Sequence, residues 1–84
     1  MKNLLTFIEN KNAMKKLWGD PLWDVTNADD RQLIANRINC ELSPEILHCD
    51  GEISHAQAMK KYRFLTACAR ELKKLDSTVE IYEL

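Results

Sequence analysis

The sequence predicts an all-α fold, a small bundle of about three helices on a single core with a C-terminal tail whose spacing fits a short strand and a helical continuation alike. Three observations carry that expectation. Apolar residues recur at intervals of three and four in three separate stretches. Helix-stopping punctuation, Gly19-Asp20-Pro21, Pro44 and Asp50-Gly51, divides those stretches. A Ser-x-x-Gln capping signature opens the longest of them.

The first stretch runs from Lys2 to Trp18, with Leu4, Phe7, Ile8, Met14, Leu17 and Trp18 as its apolar residues and Gly19 as its stop. Its weak point is Glu9 to Asn12. Asparagine is a poor helix former, and Asn12 suits a cap of a separate short helix as well as the interior of one long helix. The second helix is announced by Thr26-Asn27, either of which suits the cap. Asp29 and Asp30 follow in the first turn, where the helix dipole favours negative charge. Leu33, Ile34, Ile38 and Leu42 give it an apolar edge, and Pro44 ends it, because a residue before proline is pushed out of helical geometry. Ser43-Pro44-Glu45 is itself a start signal for one short turn over Glu45 to His48.

After the Asp50-Gly51 turn, Ser54-His55-Ala56-Gln57 has the form of a capping box, with Ile53 placed to staple against Ala58. Ala58, Tyr62, Leu65, Ala69 and Leu72 then step by four, three, four and three residues, flanked by Phe64, Cys68 and Leu75. Tyr62, Leu65, Ala69 and Leu72 are expected to be buried together. In the tail from Thr78 to Leu84, alternation and β-branching favour a strand, while Leu72, Leu75, Val79 and Tyr82 continue helical spacing.

The chain of 84 residues is long enough for one domain, residues 1–84, and its 45% apolar and 30% charged composition is that of a folding sequence. So small a core supplies on the order of 3–5 kcal/mol, which makes partner binding or homo-oligomerisation a reasonable expectation. No apolar run reaches the length of a membrane helix, and the opening Met1 to Ile8 is cut short by Glu9-Asn10-Lys11-Asn12, so neither a signal peptide nor a membrane anchor is expected. Cys40, Cys49 and Cys68 are odd in number and loosely spaced. They read as reduced thiols of a cytoplasmic protein.

Catalytic chemistry finds little footing. Cys40, His48, Cys49, His55 and Cys68 are zinc-binding types without the tight spacing of a zinc site, and Cys68 falls on an apolar helix face, so no metal or other cofactor is expected. Cys49 beside His48 lacks an oxyanion loop, and neighbours in sequence do not naturally bring their side chains together. Asp50-Gly51-Glu52 echoes a calcium loop, but in that register Ile46 takes the first ligand position and Gln57 the last. The chain reads as no enzyme.

Charge and aromatics say more. Lys60, Lys61, Arg63, Arg70, Lys73 and Lys74 face only Glu71 between Ser54 and Leu75, a surplus of five in a chain of net charge −1, so the remainder carries −6. On a helical wheel Lys60, Arg63, Arg70 and Lys74 project together, opposite the apolar face. Such a stripe is either a solvated face or a docking surface for an acidic partner. With a sequence pI near 6.1, an acidic protein surface is favoured and nucleic acid is the alternative. Leu17-Trp18-Gly19-Asp20-Pro21-Leu22-Trp23 forms an aromatic and aliphatic knot at a turn. Whichever of Trp18 and Trp23 escapes the core is the best hot-spot candidate.

The run Leu42-Ser43-Pro44-Glu45-Ile46-Leu47-His48-Cys49-Asp50-Gly51-Glu52, followed by Lys61-Tyr62-Arg63, resembles segments of small uncharacterised proteins encoded by tailed bacteriophages. The resemblance implies no catalytic residues. It implies a class, since small phage accessory proteins commonly bind and redirect host factors, here a host enzyme or defence factor in the host cytoplasm. A non-catalytic interaction module is therefore expected, with Lys60, Arg63, Arg70, Lys74, Trp18 and Trp23 as its partner-binding residues.

Overall fold

The computed structural model describes residues 2–43 and 54–81, and these form three helices with no strand among the described residues. Helix α1 spans Lys2–Trp18, α2 Ala28–Leu42 and α3 His55–Leu75. The first helix is continuous. Asn12, its apparent weak point, turns its side-chain amide on the backbone of Trp23: its Nδ2 donates to the Trp23 carbonyl at 2.9 Å and its Oδ1 accepts from the Trp23 amide at 2.8 Å. A poor helix former thus sits mid-helix because it supplies both halves of a backbone-like pairing to the turn that follows. Replacing Asn12 with alanine removes both bonds from a half-buried site and is expected to cost roughly 1–2 kcal/mol, although alanine is the better helix former. Chemical denaturation of the variant checks this.

Each helix end is satisfied by identifiable groups. Past the end of α1, Gly19 adopts φ +76°, a conformation that a side chain disfavours. Its amide donates to the Lys16 carbonyl and that of Asp20 to the Lys15 carbonyl, the paired bonds of a Schellman motif. Asn27 caps α2 by accepting from the amides of Asp29 and Asp30. Ser54 and Gln57 form the reciprocal capping box expected at the start of α3. The N-terminus of α1 has no acid in its own first turn; Glu71 of α3 caps it instead, accepting from the amides of Asn3 and Leu4 at 3.1 and 3.3 Å.

Helix α3 is central, with α1 and α2 both packed along it. Leu65, Cys68, Ala69 and Leu72 of α3 meet Leu4, Phe7 and Ile8 of α1 and Ile34, Ala35, Ile38 and Leu42 of α2 in one buried cluster, with Tyr62, Phe64, Trp23 and Val25 half-buried against it. The α3 face follows the predicted spacing at Leu65, Ala69 and Leu72, while Tyr62, expected to be buried with them, is only half-buried and Leu75 is exposed. On α2, Leu33 lies off the Ile34-Ile38-Leu42 line and is exposed.

The second half of α1 departs from the expected apolar stripe. Met14, Leu17 and Trp18 are all exposed. One turn beyond Phe7 and Ile8 the core-facing positions are Lys11, Asn12 and Lys15, whose polar ends do not enter a hydrophobic cluster, so the helix leaves the core there.

The tail also resolves into something neither reading contained. Among its described residues, 78–81, no strand is formed, yet Val79 and Ile81 are buried and Glu80 between them is exposed. Side chains of α2 stand in for a partner strand: Asn39 Nδ2 donates to the Glu80 carbonyl at 2.8 Å, and the Glu80 amide donates to Gln32 Oε1 at 3.4 Å. Lys73 of α3 adds a bond of 2.6 Å from its Nζ to the Val79 carbonyl. The alternation read from the sequence thus reports burial without a sheet. Arg31 closes the same end of the molecule, donating to the carbonyls of Val25 and Thr26 and pairing with Asp76, the residue that ends α3, at 3.4 Å. The expected short turn over 45–48, the Ile53 staple, the Asp50-Gly51 turn and residues 82–84 lie outside the described residues.

Candidate functional site

Two surfaces collect the residues that the sequence singled out. The first is the outer face of α3. The helix carries six cations, and the fold uses two of them. Lys61 turns toward Glu41 of α2, Nζ to Oε1 3.8 Å, and Lys73 is bound to the Val79 carbonyl. Lys60, Arg63, Arg70 and Lys74 are all exposed, and none forms an ion pair with a described residue. They span fifteen residues of helix, or about 21 Å from first to last. Glu71, the helix's sole acid, is engaged with the first amides of α1. The surplus positive charge of α3 is thus concentrated on its solvent face.

The second surface lies where α1 ends. Trp18 is 75% exposed, with Leu17 at 83% and Leu22 at 52% beside it. Trp23 takes the other fate, half-buried against the core and fixed by Asn12. Between the two indoles opens a pocket of about 280 Å³ whose lining also includes Met14 and Lys15. Lys15 Nζ stands 4.5 Å above the centre of the Trp23 ring, within cation–π range. Lys11, Arg37 and Asp20 complete the wall.

Behind that wall sits a buried carboxylate. Glu41 of α2 is only 6% exposed, and its Oε2 receives Lys11 Nζ of α1 and Arg37 Nε of α2, each at 2.8 Å. With Lys61 of α3 on the other oxygen, one acid links all three helices. Burial alone pushes a carboxyl up; here the hydrogen bonds and positive charges of Lys11 and Arg37 outweigh it and hold the Glu41 pKa below the usual glutamate value.

Sequence reasoning missed this part of the molecule. One signal was present, because Lys11, Met14, Lys15 and Trp18 recur at helical spacing on α1 and mark a common face. Arg37 and Glu41 carried only the i,i+4 spacing that pairs them with each other, since their approach to α1 is purely tertiary.

Of the residues weighed for metal chemistry, the three that are described, Cys40, His55 and Cys68, belong to no metal-holding cluster. Cys68 is buried in the core, where burial and, secondarily, the Glu71 carboxylate push its thiol up to about 12, so it behaves as a small protonated apolar side chain. Cys40 and His55 are exposed on different helices, while His48 and Cys49 lie outside the described residues. Among the described residues no group of three His, Cys, Asp or Glu side chains converges, and no helix is long and apolar enough to cross a membrane. No family model, curated protein or solved structure matches the chain.

Proposed function

We propose that this protein is a non-catalytic interaction module that docks an acidic surface of another protein on the outer face of α3, through Lys60, Arg63, Arg70 and Lys74. The observation that carries the reading is the division of labour among the α3 cations, two spent inside the fold and four left on one solvent face without ion-pair partners among the described residues. A purely structural set of charges is expected to pair with the acids that the rest of the chain supplies in excess. A protein partner is preferred over nucleic acid because the net charge is −1, so phosphate attraction at the stripe is opposed by the molecule's own field. The phage resemblance, carried partly by residues outside the described set, points the same way, to a cytoplasmic accessory protein that modulates a host enzyme or defence factor.

The double reversal Arg63→Glu/Arg70→Glu tests this. Both residues are exposed and bonded to nothing in the core, so the melting temperature should stay nearly unchanged. A bacterial protein captured by the wild type and identified from the lysate should be lost by the double variant, and the wild-type complex should weaken with salt. Tight duplex binding at physiological salt, steeply salt-dependent and abolished by the same reversals, would replace this reading with nucleic-acid binding.

A further inference from the structure

We infer that the pocket between the end of α1 and the turn leading to α2 is a docking site for an acidic peptide segment of a partner protein, anchored by one aromatic or large aliphatic side chain. It is a second contact surface, separate from the α3 stripe, and it stands or falls independently.

The chemistry of the lining selects the occupant. Its apolar part, Trp18, Trp23 and Met14, offers two indole faces and a thioether, which favour a large apolar side chain. At about 280 Å³ it lies near the lower end of ligand-pocket sizes, roughly 300–1,000 Å³, and accepts one such side chain rather than a folded element. Its polar part is positive. Lys15 has no carboxylate partner among the described residues and rests on the Trp23 ring. Lys11 and Arg37 share Glu41, which also answers Lys61, so one negative charge faces three positive ones. Asp20 is the sole acid of the wall. Carboxylates flanking an apolar anchor would therefore complete an unbalanced set.

A peptide, rather than a free small molecule, is indicated by what surrounds the opening. Leu17 and Leu22, the sequence neighbours of Trp18 and Trp23, are further exposed apolar side chains at this end of α1 and in the turn after it. A chain entering on either side of its anchor would cover them; a small molecule would not.

The chain's two tryptophans both line the pocket, so their emission reports its occupancy directly. The probe is an acetylated and amidated pentapeptide with a central phenylalanine flanked on each side by two aspartates, titrated against the intact protein. The expected result is a saturable shift in tryptophan emission that weakens with salt and disappears when the phenylalanine is replaced by glycine or the aspartates by lysine. Trp18→Ala, a change at an exposed position that leaves Trp23 as reporter, should weaken binding by at least about thirtyfold, the scale of an interface hot spot. Lys15→Gln should weaken it about tenfold. Arg63→Glu/Arg70→Glu should leave it unchanged, which separates this site from the α3 face. The inference is overturned if no saturable shift occurs, if the lysine peptide binds equally well, if Trp18→Ala binds like the wild type, or if phenylacetate or a short oligothymidylate matches the pentapeptide.

Discussion

Leu65→Ala is expected to lower the unfolding free energy by about 2–5 kcal/mol, a large part of what a domain of this size possesses. Leu65 is 1% exposed, lies midway along the central helix and belongs to the cluster that both other helices pack against. The loss combines the transfer free energy of the deleted atoms with the cavity left behind, and a site enclosed on several sides collapses poorly. The same substitution at Leu33, exposed on α2, removes little buried area and should fall within about 0.5 kcal/mol of the wild type. Urea denaturation of the two variants checks both values. Equal costs at the two positions would contradict the burial pattern.

Glu41→Gln is expected to cost roughly 1–3 kcal/mol at neutral pH and to flatten the acid limb of the stability profile. Glutamine keeps the shape and an acceptor oxygen but removes the charge that holds Lys11, Arg37 and Lys61. The cost stays below that of breaking a fully buried pair, because Arg37 and Lys61 are 49% and 42% exposed and recover hydration when released. The pH dependence follows from the depressed pKa. The native carboxyl holds its proton less tightly than the unfolded one, so its stabilisation is fully present above the ordinary glutamate value of about 4.3. It is lost as the pH falls through the lower folded value. Wild-type stability should therefore drop more steeply than that of Glu41→Gln as the pH falls below the ordinary glutamate range. Parallel denaturation curves at neutral and acid pH measure the difference, and identical slopes would remove Glu41 from the account of acid sensitivity.

The sequence by itself determined the elements whose signals are local. The capping box at Ser54 and Gln57, a cap at Thr26 or Asn27, the Gly19 stop and the three-and-four spacing from Ala58 to Leu72 each act within one or two turns of helix, so reading them required no knowledge of the rest of the fold. The four outward cations of α3 were legible for the same reason: helical geometry places Lys60, Arg63, Arg70 and Lys74 opposite the apolar face whatever the face packs against. Only the tertiary structure decided matters that join residues distant in sequence. It made Asn12, a poor helix former by itself, the partner of Trp23, and made Glu71 the cap of α1. It buried Val79 and Ile81 against α2 without a strand, through Asn39 and Gln32. It left Trp18 in the open while half-burying Trp23, and it drew Lys11 and Lys61 onto the Glu41 that Arg37 already reaches from one turn away on α2. Hydrogen bonds and ion pairs between distant residues leave no periodicity along the chain, and which of two similar aromatics reaches the core depends on where the polar positions of α1, Lys11 and Lys15, halt its burial.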